Sequence, residues 1–156
     1  MPAKTYTTKD TVPAHTDVAT ITVTTSGAKY TTSAANTFQV GDYIWSVAGN
    51  ELRKIVDVRS TTEGFMESAF SSDLSAVAVD IITKNDAKVA SISVAAPSGG
   101  SVTIWSKNGD SSTLPASTSL NRSAAGKGGG EFCEPIIVDG ATNNPLVEYT
   151  QKGVDY

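Results

Sequence analysis

Side-chain chemistry usually starts from histidine, cysteine or closely spaced carboxylates, and this 156-residue sequence holds a single histidine, His15, and a single cysteine, Cys133. A Cys–His nucleophilic pair needs surroundings that favour the thiolate. Cys133 instead stands in Glu131-Phe132-Cys133-Glu134-Pro135, between carboxylates that disfavour it. It is expected to be a buried structural thiol, and it has no second cysteine for an intramolecular disulfide. His15 falls in a Pro- and Thr-rich leader and is expected to be a solvated arm residue. Zinc takes about four ligands, which these two residues do not supply. No metal and no cofactor is expected.

The remaining constellations are equally sparse. Gly126-Lys127-Gly128-Gly129-Gly130 invites comparison with a phosphate-binding loop, but no Ser or Thr follows the lysine and no helix can start in three glycines. It reads as a flexible hinge. Paired carboxylates can serve as general acid and base, and Asp42, Asp57, Glu63, Glu67, Asp80, Glu131 and Glu134 are the candidates. None is paired with a second acid beside an aromatic platform, and 16 acidic residues spread over a β surface are what solubility asks. Catalytic residues are therefore not assigned, and the chain is expected not to be an enzyme.

Arg53, Lys54 and Arg59 cluster beside Glu51 and Asp57, the pattern of a solvated, charge-balanced face. With a net charge of −4 and a pI near 4.9, no nucleic-acid partner is expected. No apolar run approaches the roughly 20 residues of a membrane helix, and the first residues lack the apolar centre of a secretory signal. The expectation is a protein made in a reducing cytoplasm, without a membrane partner.

The elements that must position these groups are strands. Ser and Thr supply roughly a quarter of the residues, a hydroxyl-covered composition that favours β structure. Period-2 alternation predicts strands at Val18–Thr25, Tyr43–Ala48, Glu51–Ser60, Phe65–Phe70, Val77–Thr83, Val89–Ala96, Ser101–Ser106, Glu131–Asp139 and Leu146–Thr150. Gly49-Asn50 and Asn108-Gly109 read as tight hairpin turns, and Ser71–Ala76 as one helical turn. Crossover helices are absent, so the fold is expected to be all-β, an antiparallel barrel or sandwich. The organisation expected is an extended N-terminal arm at 1–15, a β domain at 16–139 with a flexible Gly/Ser-rich loop at 107–130, and a C-terminal strand or arm at 140–156.

Phe38 to Leu74, FQVGDYIWSVAGNELRKIVDVRSTTEGFMESAFSSDL, carries a more specific pattern: Val-Gly-Asp, an aromatic strand, a tight turn, a charged return strand, and an apolar run closing on Ala-Phe-Ser. This resembles the small β-barrel subunits of tailed-bacteriophage virions, including capsid decoration proteins and neck or head–tail connector rings. The resemblance implies a structural virion protein that assembles as a homo-oligomer and contacts capsid, portal or neck proteins, located in the virion after synthesis in the host cytoplasm. Terminal arms could clasp neighbours by strand addition, and the candidate interface residues are Tyr6, Trp45, Trp105, Tyr149 and Tyr156. The alternative is a β-sandwich carbohydrate-binding module, stacking sugars on Trp45, Trp105, Tyr43 or Tyr149.

Overall fold

The computed structural model of the protein describes residues 3–124 and 132–151. Among them there is no α-helix, and the fold is all-β. The chain opens with two short strands, β1 (Lys4–Thr5) and β2 (Lys9–Val12). Six further strands follow: β3 (Thr16–Ser26), β4 (Lys29–Thr32), β5 (Tyr43–Ser46), β6 (Glu51–Ser60), β7 (Glu63–Met66) and β8 (Val77–Ile82). The last six are β9 (Val89–Ala95), β10 (Val102–Trp105), β11 (Ser111–Leu114), β12 (Ser119–Ser123), β13 (Ile136–Asp139) and β14 (Leu146–Gln151).

These strands form two compact units, one spanning His15–Ala87 and the other combining the residues up to Ala14 with those from Lys88 onward. The first unit is a closed antiparallel barrel in the order β3-β4-β7-β6-β5-β8. Closure leaves no strand edge exposed. Alternation sends Val23, Tyr30, Ile44, Ile55, Met66, Val79 and Ile81 inward, where Phe38 and Phe70 from the connections join them. Gly27, at φ 59°, supplies the left-handed turn between β3 and β4.

The second unit contains two four-stranded antiparallel sheets, β1-β14-β9-β12 and β11-β10-β13-β2. Ile92, Val94 and Val147 from the first sheet share one core with Val12, Val102, Ile104, Leu114, Ile136 and Val138 from the second. That is the arrangement of a β-sandwich. Sequence periodicity offered barrel or sandwich as alternatives for one domain, and the chain builds one of each.

Several local expectations are corrected. The β5–β6 hairpin closes at Ser46↔Glu51, so its loop is the four residues Val47–Asn50 rather than the pair Gly49-Asn50. Only Asn50 (φ 52°) takes positive φ there. Ser71–Ala76 forms no helical turn: Asp73, expected inside it, accepts from the Gly27 N–H at 3.1 Å, and Leu74 donates its N–H to Thr25 Oγ1 at 2.8 Å. The connection is therefore stitched to the β3–β4 turn. Residues 1–15 are not simply an arm, since β2 pairs with β13 from Val12↔Ile136 to Lys9↔Asp139 and Tyr6 is a core residue. At 140–156, expected as a strand or an arm, the chain forms the strand β14, which lies between β1 and β9. The stretch expected as a loop at 107–130 contains both β11 and β12, while Gly126–Gly130 lies outside the described residues.

Candidate functional site

The strongest polar constellation is in the barrel. Glu51 and Arg53 alternate onto the same side of β6 and form an ion pair at 2.8 Å, with side chains only 4% and 7% exposed. Arg53 also donates from Nε to the Ala69 carbonyl and from Nη1 to the Leu52 carbonyl, both at 2.9 Å. Its guanidinium lies 5.2 Å from the centre of the Phe70 ring. Glu51 accepts the Ser71 hydroxyl at 2.7 Å and its N–H at 3.2 Å. A buried charge needs such a shell of partners. The shell locks Ala69–Ser71 onto β6, so Arg53 is a structural group and not part of the solvated face expected from the sequence. Arg59, paired with Asp57 at 2.6 Å, does lie on the exposed surface.

His15 is also better held than an arm residue. Pairing of Thr16 with Ile81 and Asp17 with Asp80 sets the chain alongside β8. His15 Nε2 lies 3.1 Å from Asp80 Oδ2, and the imidazole meets the Trp45 ring edge-on at 5.0 Å. Cys133 is engaged within the sandwich unit, where its thiol faces the Ala90 carbonyl at 3.5 Å. Each of the two residues first examined for catalysis is thus committed inside its own unit.

The other carboxylates hold backbone or lysines. Asp42 accepts the N–H groups of Gln39 at 2.8 Å and Lys84 at 2.7 Å, organising the turn before β5. Glu63 pairs with Lys29, and Glu134 with Lys107, both at 3.0 Å. Glu67 accepts weakly from the Lys54 N–H at 3.3 Å. Glu131 lies outside the described residues. Among the described residues, no group of three or more His, Cys, Asp or Glu side chains is placed to hold a metal ion.

The aromatic candidates are distributed unevenly. Trp45 and Tyr43 are buried on β5. Tyr6 is buried in the sandwich core and donates its hydroxyl to the Thr11 carbonyl at 2.7 Å. Burial, then Asp10 and Tyr149, hold the Tyr6 phenol well above its ordinary range. Tyr149 packs half-buried against the same core, and Trp105 is half-buried with Lys9 Nζ 5.8 Å from its ring centre. Tyr156 lies outside the described residues. A platform of exposed rings for sugar stacking is not assembled among Tyr43, Trp45 and Tyr149.

A shallow groove of about 300 Å³ runs over β12, β9 and β14, lined by hydroxyls of Ser91, Ser93 and Thr150 together with Asn121 and Glu148. The two sheets end at one side in β12 and β11, both within the stretch expected as a loop. Their only large apolar residues are Leu120 and Leu114, too few for alternation to be visible. The Asn-Gly turn at 108–109, which starts β11, was the available signal. No family model, curated protein or solved structure matches this chain.

Proposed function

We propose that this chain is a non-enzymatic structural subunit of a tailed-phage virion, assembling as a homo-oligomer on the capsid or in the neck or head–tail connector. The observation that carries the reading is how the polar chemistry is used. The polar shell in the barrel pins a loop to a strand, the buried carboxylates hold turns, and the hydroxyl-rich sheet and its open edges face outward. Such a molecule presents backbone and hydroxyls, the groups that strand addition uses. The Phe38–Leu74 pattern, which resembles phage β-barrel subunits, falls largely on the closed barrel. Carbohydrate recognition has weaker support, since Trp45 and Tyr43 are buried and Tyr149 packs on the core.

The test is quantitative mass spectrometry of purified particles. On the order of hundreds of copies per particle match decoration and about a dozen match a ring, as closed symmetry dictates. Absence from purified particles overturns the proposal.

A further inference from the structure

We infer that β11 is a homotypic docking edge, at which two copies of this chain join their sandwich sheets strand to strand. The inference rests on the assembly reading above for its occupant, and the geometry of the sheet supplies the rest. β11 ends the order β11-β10-β13-β2, so among the described residues only one of its two sides is paired. Ser111, Ser112 and Thr113 are exposed.

The direction of the free backbone groups follows from the hairpin. Ser106 donates its N–H to the Asp110 carbonyl at 2.9 Å, and the register runs Trp105↔Ser111, Ile104↔Ser112, Thr103↔Thr113. In an antiparallel ladder, hydrogen-bonded and non-hydrogen-bonded pairs alternate. Asp110, Ser112 and Leu114 therefore point their backbone groups at β10, and Ser111 and Thr113 point theirs away from it.

That outward pattern is its own complement. A two-fold axis through Ser112 pairs Ser111 of one copy with Thr113 of the other, and Thr113 with Ser111. Each pair exchanges both N–H···O=C bonds, and the two Ser112 residues meet in the non-hydrogen-bonded position between them. The result is a continuous eight-stranded sheet with isologous contacts.

The other described edges fit a second copy less well. β1 has two residues, β2 carries Lys9 and Asp10, and β12 carries Arg122. Proteins guard exposed edges with charge, proline or bulges. Ser111–Leu114 has none of these within it, and Pro115 stops the strand one residue later. Two uncharged strands approach without repulsion.

The test uses the full chain in solution. Thr113→Pro deletes an outward N–H and leaves the ladder to β10 intact, the one kind of position where an edge strand tolerates proline. It should raise the dimer dissociation constant by about tenfold or more in sedimentation equilibrium, with unchanged circular dichroism. Ser112→Cys in a Cys133→Ser background should link two copies by a disulfide between the introduced thiols under mild oxidation, because non-hydrogen-bonded pairs bring Cα atoms to about 4.5 Å. A parent that self-associates while Thr113→Pro associates equally well and Ser112→Cys does not cross-link overturns the β11 edge but leaves assembly standing. A parent that stays monomeric at every concentration overturns both.

Discussion

Tyr30 and Gly64 face each other across β4 and β7, and the phenol of Tyr30 fills the place where a side chain at position 64 would stand. A Cβ on Gly64 would lie 2.5 Å from the Tyr30 hydroxyl and 2.5 Å from the Asp57 carbonyl oxygen. The glycine is the space that the tyrosine needs, and Tyr30 is fully buried there. Gly64→Ala is expected to destabilise the protein by about 1–3 kcal/mol through overpacking, read from urea denaturation. Tyr30→Phe should leave stability unchanged or raise it, because the buried hydroxyl has no hydrogen-bond partner among the described residues to strand. A Gly64→Ala variant as stable as the parent would show that the ring can move aside.

Alkaline pH should weaken the fold. Burial, then Asp42 and Asp57, raise the Tyr30 phenol above its ordinary range, as burial, Asp10 and Tyr149 raise Tyr6. The folded state keeps protons that the unfolded chain releases near pH 10. This contribution is complete below that pH and is lost as pH rises above it. Denaturant midpoints measured between pH 8 and pH 12 check it: the Tyr6→Phe/Tyr30→Phe double variant should lose stability less steeply than the parent.

Glu51→Ala is expected to cost about 3–5 kcal/mol, the usual result of leaving one member of a buried ion pair alone. It strands the Arg53 guanidinium and releases Ser71. Protease cleavage should then appear near Ala69–Ser71. Lys29→Ala, which breaks the exposed pair with Glu63, should shift stability by less than about 1 kcal/mol.

Deleting residues 1–15 should disrupt the sandwich unit rather than yield a trimmed but intact subunit. It removes β2 and with it Val12 and Tyr6 from the core. Deleting 146–156 removes β14, which pairs with β9 along six residues from Leu146 to Gln151. Hydrogen exchange resolves the outcome: protection should collapse at Val89–Ala95 and Ile136–Asp139 and persist through β3 to β8. Uniform native protection would mean that these strands are expendable.

Sequence pattern exposed the strands that carry two apolar residues on one face, and it hid the others. Tyr43 with Trp45, or Ile92 with Val94, reveals β5 and β9 at once. Lys29-Tyr30-Thr31-Thr32 offers one apolar side chain, so β4 looked like a linker although Tyr30 is in the barrel core. The split into two units depends on β2 meeting β13, a pairing between opposite ends of the sequence that no local period encodes. The Glu51–Arg53 lock was partly legible: two opposite charges two residues apart in a strand share a face. What the sequence lacked was the arrival of Ala69, Phe70 and Ser71 from a distant segment, which turns a surface charge pair into a buried one.

The barrel interrupts the sandwich, and this gives the two units different schedules during synthesis. Every strand from β3 to β8 emerges from the ribosome in one contiguous stretch, so the barrel can close as soon as Ala87 is clear. Val12 must wait for Ile136, and the sheet containing β1 must wait for Leu146 and Val147. From the closing of the barrel until Ile136 and Leu146 emerge, β1 and β2 are therefore strands without a sheet, tethered to a complete barrel. Such edges are open to wrong partners until the last strand arrives. A nascent chain stalled once Ala87 has cleared the ribosome, but before Ile136 has, should therefore present a folded barrel and an N-terminal segment still sensitive to protease.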